Sequence, residues 1–461
     1  MVYGTKNILH KSRPGGWLPK DPAEIHRYIQ KLKKRAAENP QPIIPPIAEL
    51  KEMVNSDPVL SANIAAMFTE AAQYEKYTPL GWQAEPQTFD QFLTLLNQIM
   101  TQAPEAYQTG TGSNQQAAGL IGFPINALLD WPMGTSFGYD VFSNALFNQQ
   151  FKKILNYWST FLVSLGSRYT LAVGNPDEDA IPWLSAQGQA EMVAVAADAL
   201  GQGSNPISPD ATFAQIFNCD PSDPVYYGFT SWDNFFTRTF RAGIRPVSSP
   251  ADPTVIVNAC ESGPLAITPN AALSDTFWIK EQPYSLENML NFDEYAPQFD
   301  GGTVYQAFLS ALSYHRWHSP VDGIIDKAYV VNGTYYLENI YQGFNAEGTG
   351  ADPSAPNDSQ AFITSVATRA IMFIKADNPA IGLMCVVAVG MAEVSSCEIT
   401  VQRGAHVNKG DQLGMFHFGG STHCLVFRPG VNLTFNTYGE QPSVEAPNNI
   451  RVNTLIATVN Q

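Results

Sequence analysis

At about Asp220 the chain changes its local pattern, and that change limits the folds open to it. Beyond this point short β-branched runs alternate with turn residues, at residues 254–257, 324–331, 371–374, 385–389, 398–401 and 425–427. Before it the signals are helical. Asp21-Pro22 and Asp57-Pro58 each set an acidic cap ahead of a proline at the first helical position. Thr88 opens a further helix, with Phe89, Phe92, Leu96, Ile99 and Met100 on one stripe. A long aromatic stretch over 142–165 reads as one helix, and Pro-, Asp- and Ser-rich loops are expected at 175–182 and 203–210. The expected class is α+β: a helical region over 1–210, then a mostly β region over 211–461.

Composition narrows the function. Hydrophobic residues are 44% of 461, enough for a large core, and a net charge of −16 speaks against a nucleic-acid partner. The one basic cluster, 31–35, fits a solvated helix face. Five cysteines, an odd number without a C-x-x-C pair, argue for a reducing compartment rather than a disulfide framework. The longest apolar run, 381–392, contains Gly382 and Gly390 and is too short to cross a bilayer, so it is expected to be a buried strand. The early residues show no apolar signal core. A soluble, cytoplasmic protein with no stable membrane anchor is expected, and the oligomeric state stays open.

Four of the seven histidines fall in two short segments, Tyr314-His315-Arg316-Trp317-His318-Ser319-Pro320 and His417-Phe418-Gly419-Gly420-Ser421-Thr422-His423. The first pair could be structural, or could join His423 and Cys424 at a zinc ion, although no third ligand stands at a standard spacing. In the second segment a serine follows two glycines at the end of a strand. Glycine admits strained backbone and leaves the Gly420 carbonyl open to close approach, but Gly-Gly-Ser-Thr is also an ordinary turn.

Together these motifs identify more than either alone. Y-H-R-x-H followed about a hundred residues later by G-G-S-T resembles the phosphatidylserine decarboxylase family. Further matches are Phe235-Phe236-Thr237-Arg238 with Arg245-Pro246, and Pro283-Tyr284-Ser285-Leu286. The pattern Gly404, Val407, Lys409, Gly410, Asp411 and Leu413 is similar to the hairpin turn of biotinyl- and lipoyl-type β-sandwiches, without the methionines that flank a carrier lysine. Within the family the chain is most similar to a fungal branch of soluble aromatic L-amino-acid decarboxylases, through Gly16-Trp17-Leu18, Ala259-Cys260-Glu261-Ser262, 371–374 and 414–421.

The resemblance implies a self-generated pyruvoyl cofactor, with neither pyridoxal phosphate nor metal. Ser421 attacks the Gly420 carbonyl, the ester eliminates, and the chain is cut between 420 and 421, the two fragments staying associated. His318 matches the family's base for this cut. His315 is the candidate for protonating the substrate's α-carbon once CO₂ has left. The family orients its base with an aspartate, and Glu261 stands in that place here, so the implied triad is Glu261, His318 and Ser421, with Asp322 the substitute. Gly419 and Gly420 flank the cofactor position. The substrate implied is a free aromatic amino acid, L-tryptophan yielding tryptamine first. A phosphatidylserine substrate is the alternative; the acidic balance is unfavourable at an anionic bilayer.

Overall fold

The computed structural model describes residues 18–19, 22–73, 84–109, 116–172, 180–208, 210–274, 284–344, 351–352, 355–393, 396–444 and 448–460. Gly16, Trp17, Asp21 and Pro283 lie outside the described residues. Eight helices occupy the first half of the described chain: α1 Pro22–Glu38, α2 Pro45–Ser56, α3 Pro58–Ala72, α4 Phe89–Ile99, α5 Pro124–Met133, α6 Ser136–Ser143, α7 Ala145–Leu162 and α8 Ala186–Asp198. The caps work as the sequence suggests. Asp57 accepts from the Val59 and Leu60 amides at the start of α3, and Thr88 accepts from the Gln91 amide at α4. The α4 stripe is buried at Phe92, Leu96, Ile99 and Met100.

Two features of this half differ from the sequence reading. The stretch expected as one helix over 142–165 is divided, because the Asn144 side chain takes the Leu146 and Phe147 amides, ending α6 and starting α7. A small antiparallel sheet, β1 Glu105–Thr109, β2 Gln116–Ile121 and β3 Ala180–Ile181 in the order β2-β1-β3, also lies among the helices.

Two short helices, α9 Phe213–Ile216 and α10 Trp232–Phe236, lead into the β region. Its strands are β4 Val255–Val257, β5 Gly263–Ala271, β6 Gly302–Leu309, β7 Arg316–His318, β8 Gly323–Val331, β9 Arg369–Ala376, β10 Leu383–Gly390, β11 Ser396–Ile399, β12 His406–Val407, β13 Gln412–His417, β14 Ser421–Phe427, β15 Leu433–Phe435 and β16 Leu455–Val459. Seven form an antiparallel sheet in the order β12-β8-β9-β10-β14-β6-β5, and two three-stranded sheets follow the orders β11-β13-β7 and β15-β16-β4. An α+β fold with its helices ahead of its sheets is therefore observed.

The apolar run 381–392 becomes β10, and every residue of β10 and of its neighbour β14 is buried. A strand that is apolar without alternation must be covered on both faces. On one face Cys385, Val387, Val389, Cys424 and Val426 join a core that includes Leu96, Ile154 and Trp158 of the helices. On the other, Met384, Val386, Ala388 and Leu425 meet Trp317, Leu413 and Phe416 of the small sheet. The first core runs from Leu18 to Val426, so both halves of the chain contribute to it. Each such aliphatic side chain contributes about 1.5–3 kcal/mol on full burial.

In the turn before β13, Gly404 and Gly410 take φ of +85° and +86°, conformations that favour glycine. Lys409 is an internal tether, its ammonium donating to the Ser249, Asp252 and Val255 carbonyls.

Candidate active site

Between β13 and β14 the chain reverses in three residues. Phe418 and Gly419 take φ of +33° and +114°, and Ser421 is the first residue of β14. Positive φ is ordinary for Gly419 and strained for Phe418, so something must hold Phe418 there. Its ring is buried and meets Trp158 of α7 edge to face, 5.7 Å between centroids. The helical half thus grips the loop directly. Gly390 of β10 and Leu309 of β6 pair with Ser421, and the Met391 amide donates to the Gly420 carbonyl at 3.1 Å. The Ser421 hydroxyl is fully buried and makes no hydrogen bond among the described residues.

Thr422, one residue on, faces the opposite side and is well bonded. It donates to the Ala307 carbonyl and accepts from Gln306, whose amide oxygen accepts from the Tyr284 hydroxyl at 2.5 Å. This gives Tyr284 of the Tyr284-Ser285-Leu286 motif a structural task. Alternation along β14 also sends His423 and Cys424 to opposite faces, which removes them as joint ligands of one metal ion.

His315 ends the turn that leaves β6 beside Ser421, since Leu309 is Ser421's pairing partner. Its ring is buried and stacked on Phe236 at 4.0 Å. Burial, with the nearby Arg238 charge, holds its pKa well below the usual histidine value, so the ring is neutral. The Phe235-Phe236-Thr237-Arg238 motif builds this pocket. Phe236 supplies the stacking face, and buried Arg238 donates to the Leu312 and Ser313 carbonyls of the turn.

His318 closes β7. Its Nδ1 lies 2.7 Å from the Gly410 carbonyl and its Nε2 2.9 Å from the Tyr314 hydroxyl. A carbonyl only accepts, so Nδ1 carries the proton and Nε2 is the basic nitrogen, taking the Tyr314 proton. Burial lowers the His318 pKa and keeps the ring neutral. Neither histidine ring bonds to the Ser421 hydroxyl, which has no hydrogen-bond partner among the described residues.

The Glu261 carboxylate, expected to orient His318, does not contact the His318 ring. The Glu261 carboxylate is buried and paired with Arg245, with N–O distances of 2.5–3.2 Å, and also accepts from the Val452 amide at 2.8 Å. Its segment touches His318 only through backbone, the His318 amide donating to the Ala259 carbonyl. Arg245 satisfies the carboxylate that the resemblance assigned to His318. Asp322 does not reach the ring either. It accepts from the Lys409 amide at 2.7 Å and so braces the turn whose Gly410 carbonyl holds His318.

Sequence reasoning missed Tyr314 and Gly410 as partners of His318, Met391 as the donor to Gly420, and the pairing of His417. The His417 ring bridges Asp233 of α10, at 3.0 Å, and Glu398 of β11, at 2.8 Å. Only its place four residues before Ser421 could have flagged it. Among the described residues no three His, Cys, Asp or Glu side chains gather as a metal-holding group.

The junction thus joins a buried, unbonded serine hydroxyl, a carbonyl that accepts an N–H and two neutral histidines in one region of the fold. The comparisons give the family to which such a chain belongs. A phosphatidylserine decarboxylase model matches residues 232–456, and a second model of that description matches 44–192. The chain belongs to the phosphatidylserine decarboxylase family. It is 34% identical to an L-tryptophan decarboxylase of Psilocybe cubensis over 96% of this chain and 94% of that one. It is 40% identical to the decarboxylase iboD of Amanita muscaria, over 74% of this chain and 92% of that one. Similarity to phosphatidylserine decarboxylase proenzyme 3 of Schizosaccharomyces pombe, 30% identical, covers 49% of this chain and 21% of that one.

Proposed function

We propose that the chain cuts itself between Gly420 and Ser421, turns Ser421 into a pyruvoyl group, and decarboxylates a free aromatic L-amino acid, L-tryptophan to tryptamine first. The observation that carries this reading is the junction itself, a buried hydroxyl with no hydrogen bond beside a carbonyl that already accepts an N–H. In the cut, the Ser421 oxygen bonds to the Gly420 carbonyl carbon as the peptide C–N bond breaks, giving an ester and a free amine. Loss of the Ser421 α-proton expels the Gly420 carboxylate. The enamine left at residue 421 takes up water, releases ammonia and becomes a ketone. The Met391 amide stabilises the charge that develops on the Gly420 oxygen. His318, neutral and with Nε2 as its basic nitrogen, is the base; the Gly410 carbonyl fixes its tautomer, the task expected of a carboxylate.

The ketone supplies the electron sink for loss of CO₂. The chain's own residues do the rest: His315 returns a proton to the substrate carbon, and Phe418, gripped by Trp158, holds the loop. Residues 1–210 form the supporting helical region and 211–461 the catalytic region. The two fragments stay together because β14 is an interior strand, hydrogen-bonded along its length to β10 and β6. The substrate class is supported by the near full-length relatives named for L-tryptophan, whereas the phosphatidylserine enzyme matches half of this chain. No described helix is long and apolar enough to cross a membrane.

The test is intact mass beside CO₂ release from a panel of free amino acids and from phosphatidylserine vesicles. Fragments 1–420 and 421–461 are expected, with turnover of L-tryptophan. A single uncut, fully active species would remove the self-cutting step. Turnover of the vesicles and of none of the aromatic acids would reverse the substrate.

A further inference from the structure

Buried polar atoms in folded proteins nearly always find partners. Several that do not lie together beside the cleavage junction. Glu393, two residues past the Met391 amide that contacts Gly420, is fully buried. Its Oε1 accepts from the Ile125 and Asn126 amides at the start of α5, at 2.6 and 2.8 Å, while its Oε2 makes no hydrogen bond among the described residues. The same holds for both side-chain polar atoms of Asn126 and for the Tyr336 hydroxyl. Asn126 is tied to Glu393 through its backbone amide, and Tyr336 lies within range of the Glu393 charge.

Each bond left unmade costs about 1–3 kcal/mol. Three residues bearing that cost in one neighbourhood, Glu393, Asn126 and Tyr336, point to a ligand that supplies the missing bonds. What Glu393 lacks is a donor, since two amides already serve Oε1 and nothing serves Oε2. The flank is aromatic, with Phe142 and Phe151 meeting Tyr336 at ring distances of 6.1 and 5.2 Å. A flat apolar ring carrying one N–H at its edge fits both demands. We infer that Glu393 Oε2 accepts the indole N–H of the bound amino acid, which makes Glu393 the residue that separates tryptophan from aromatic acids with no ring donor. Burial raises the Glu393 pKa to about 8 although two amides serve Oε1, and a further N–H donated to Oε2 would favour the carboxylate and lower it. The inference rests on the aromatic amino-acid decarboxylase reading and names its specificity.

The test compares kcat/KM for L-tryptophan and 1-methyl-L-tryptophan, which lacks the N–H, in the wild type and in Glu393→Gln. In that variant the amide oxygen still serves the two α5 amides, so its NH₂ group faces the ligand, a donor set against a donor. Self-cutting is retained in both chains and reports folding. The wild type favours tryptophan by about 10-fold, the size of one buried hydrogen bond, and the variant loses that preference. Melting shifts give a second readout: tryptamine stabilises the wild type more than 1-methyltryptamine does, and stabilises Glu393→Gln no more. A processed Glu393→Gln that keeps the wild-type preference overturns the inference while leaving the decarboxylase reading intact. A wild type that turns over no aromatic acid removes both.

Discussion

The two faces of β14 receive opposite treatment. On one, Thr422 is bonded to Ala307, Gln306 and through it Tyr284, and packs toward the helices. On the other, Ser421 is equally buried and its hydroxyl has no bond among the described residues. Adjacent residues with similar hydroxyls therefore differ by a whole network. A buried hydroxyl without a partner is destabilising, and its place next to a strained loop is what supports the proposed role of Ser421 in the cut. Thr422 is held by a bonded network, and Ser421 beside it keeps its hydroxyl unbonded.

The sharpest break of this comparison is at Ser421. Ser421→Ala removes the attacking oxygen, and the chain is expected to remain one uncut species with no CO₂ release. Mass spectrometry reads the first outcome and a radiometric assay the second. Next come the two histidines. His318→Ala is expected to block the cut by removing the base, whereas His315→Ala is expected to cut and then turn over at least about 100-fold more slowly, the usual scale for one acid–base group. Cutting that fails in His315→Ala and persists in His318→Ala would exchange the two roles. That exchange has a structural basis to probe, because the His315 turn leaves the very strand that pairs with Ser421.

Effects on stability are smaller. Glu261 and Arg245 form a buried pair, and Glu261→Gln leaves the guanidinium without its charge partner. Loss of about 3 kcal/mol is expected in chemical denaturation, in line with other broken buried pairs. The folded fraction should still cut within a few-fold of the wild-type rate, since Glu261 does not contact the His318 ring; a block of cutting would restore Glu261 to the triad. On the scaffold face, Thr422→Val deletes two hydrogen bonds at nearly constant volume and should cost about 1–2 kcal/mol while leaving cutting intact.

What the sequence made legible follows physical rules of short range. The β10 run could be read because a strand covered on both faces has no polar residue to interrupt it, and Ser421 because two glycines before a serine are a local signal. The strand β6 was missed. Its Gln306 breaks the apolar pattern, and that residue is buried because Tyr284 and Thr422 satisfy it from far along the chain. The partners of His318 were hidden for the same reason. Gly410 lies 92 residues away and is brought to His318 by the pairing of β13 with β7 and by the bonds of Gly410 and Asp411 to Ser319. The resemblance singled out Glu261, whose segment does lie against the His318 backbone, but local sequence could not show that Arg245 pairs with its carboxylate.

The mildest expected effect tests the anchor of the loop. His417 ends β13, bridges Asp233 and Glu398, and is about one-fifth exposed. Burial alone would lower its pKa, but the hydrogen bonds and charges of the two carboxylates outweigh it and the net shift is upward. A raised value means that the folded state binds the proton more tightly than the unfolded chain. The stabilisation is therefore fully present below the ordinary histidine value near 6.5 and is lost as pH rises through the higher folded value. Denaturation midpoints should fall across that window by a free energy on the order of 1 kcal/mol. His417→Gln should flatten the dependence and start from the lower, high-pH stability. His406, paired with exposed Asp377, titrates in the same direction. His406→Gln serves as the control, because its loss should leave most of the slope if His417 is the anchor and remove most of it if the surface pair is responsible.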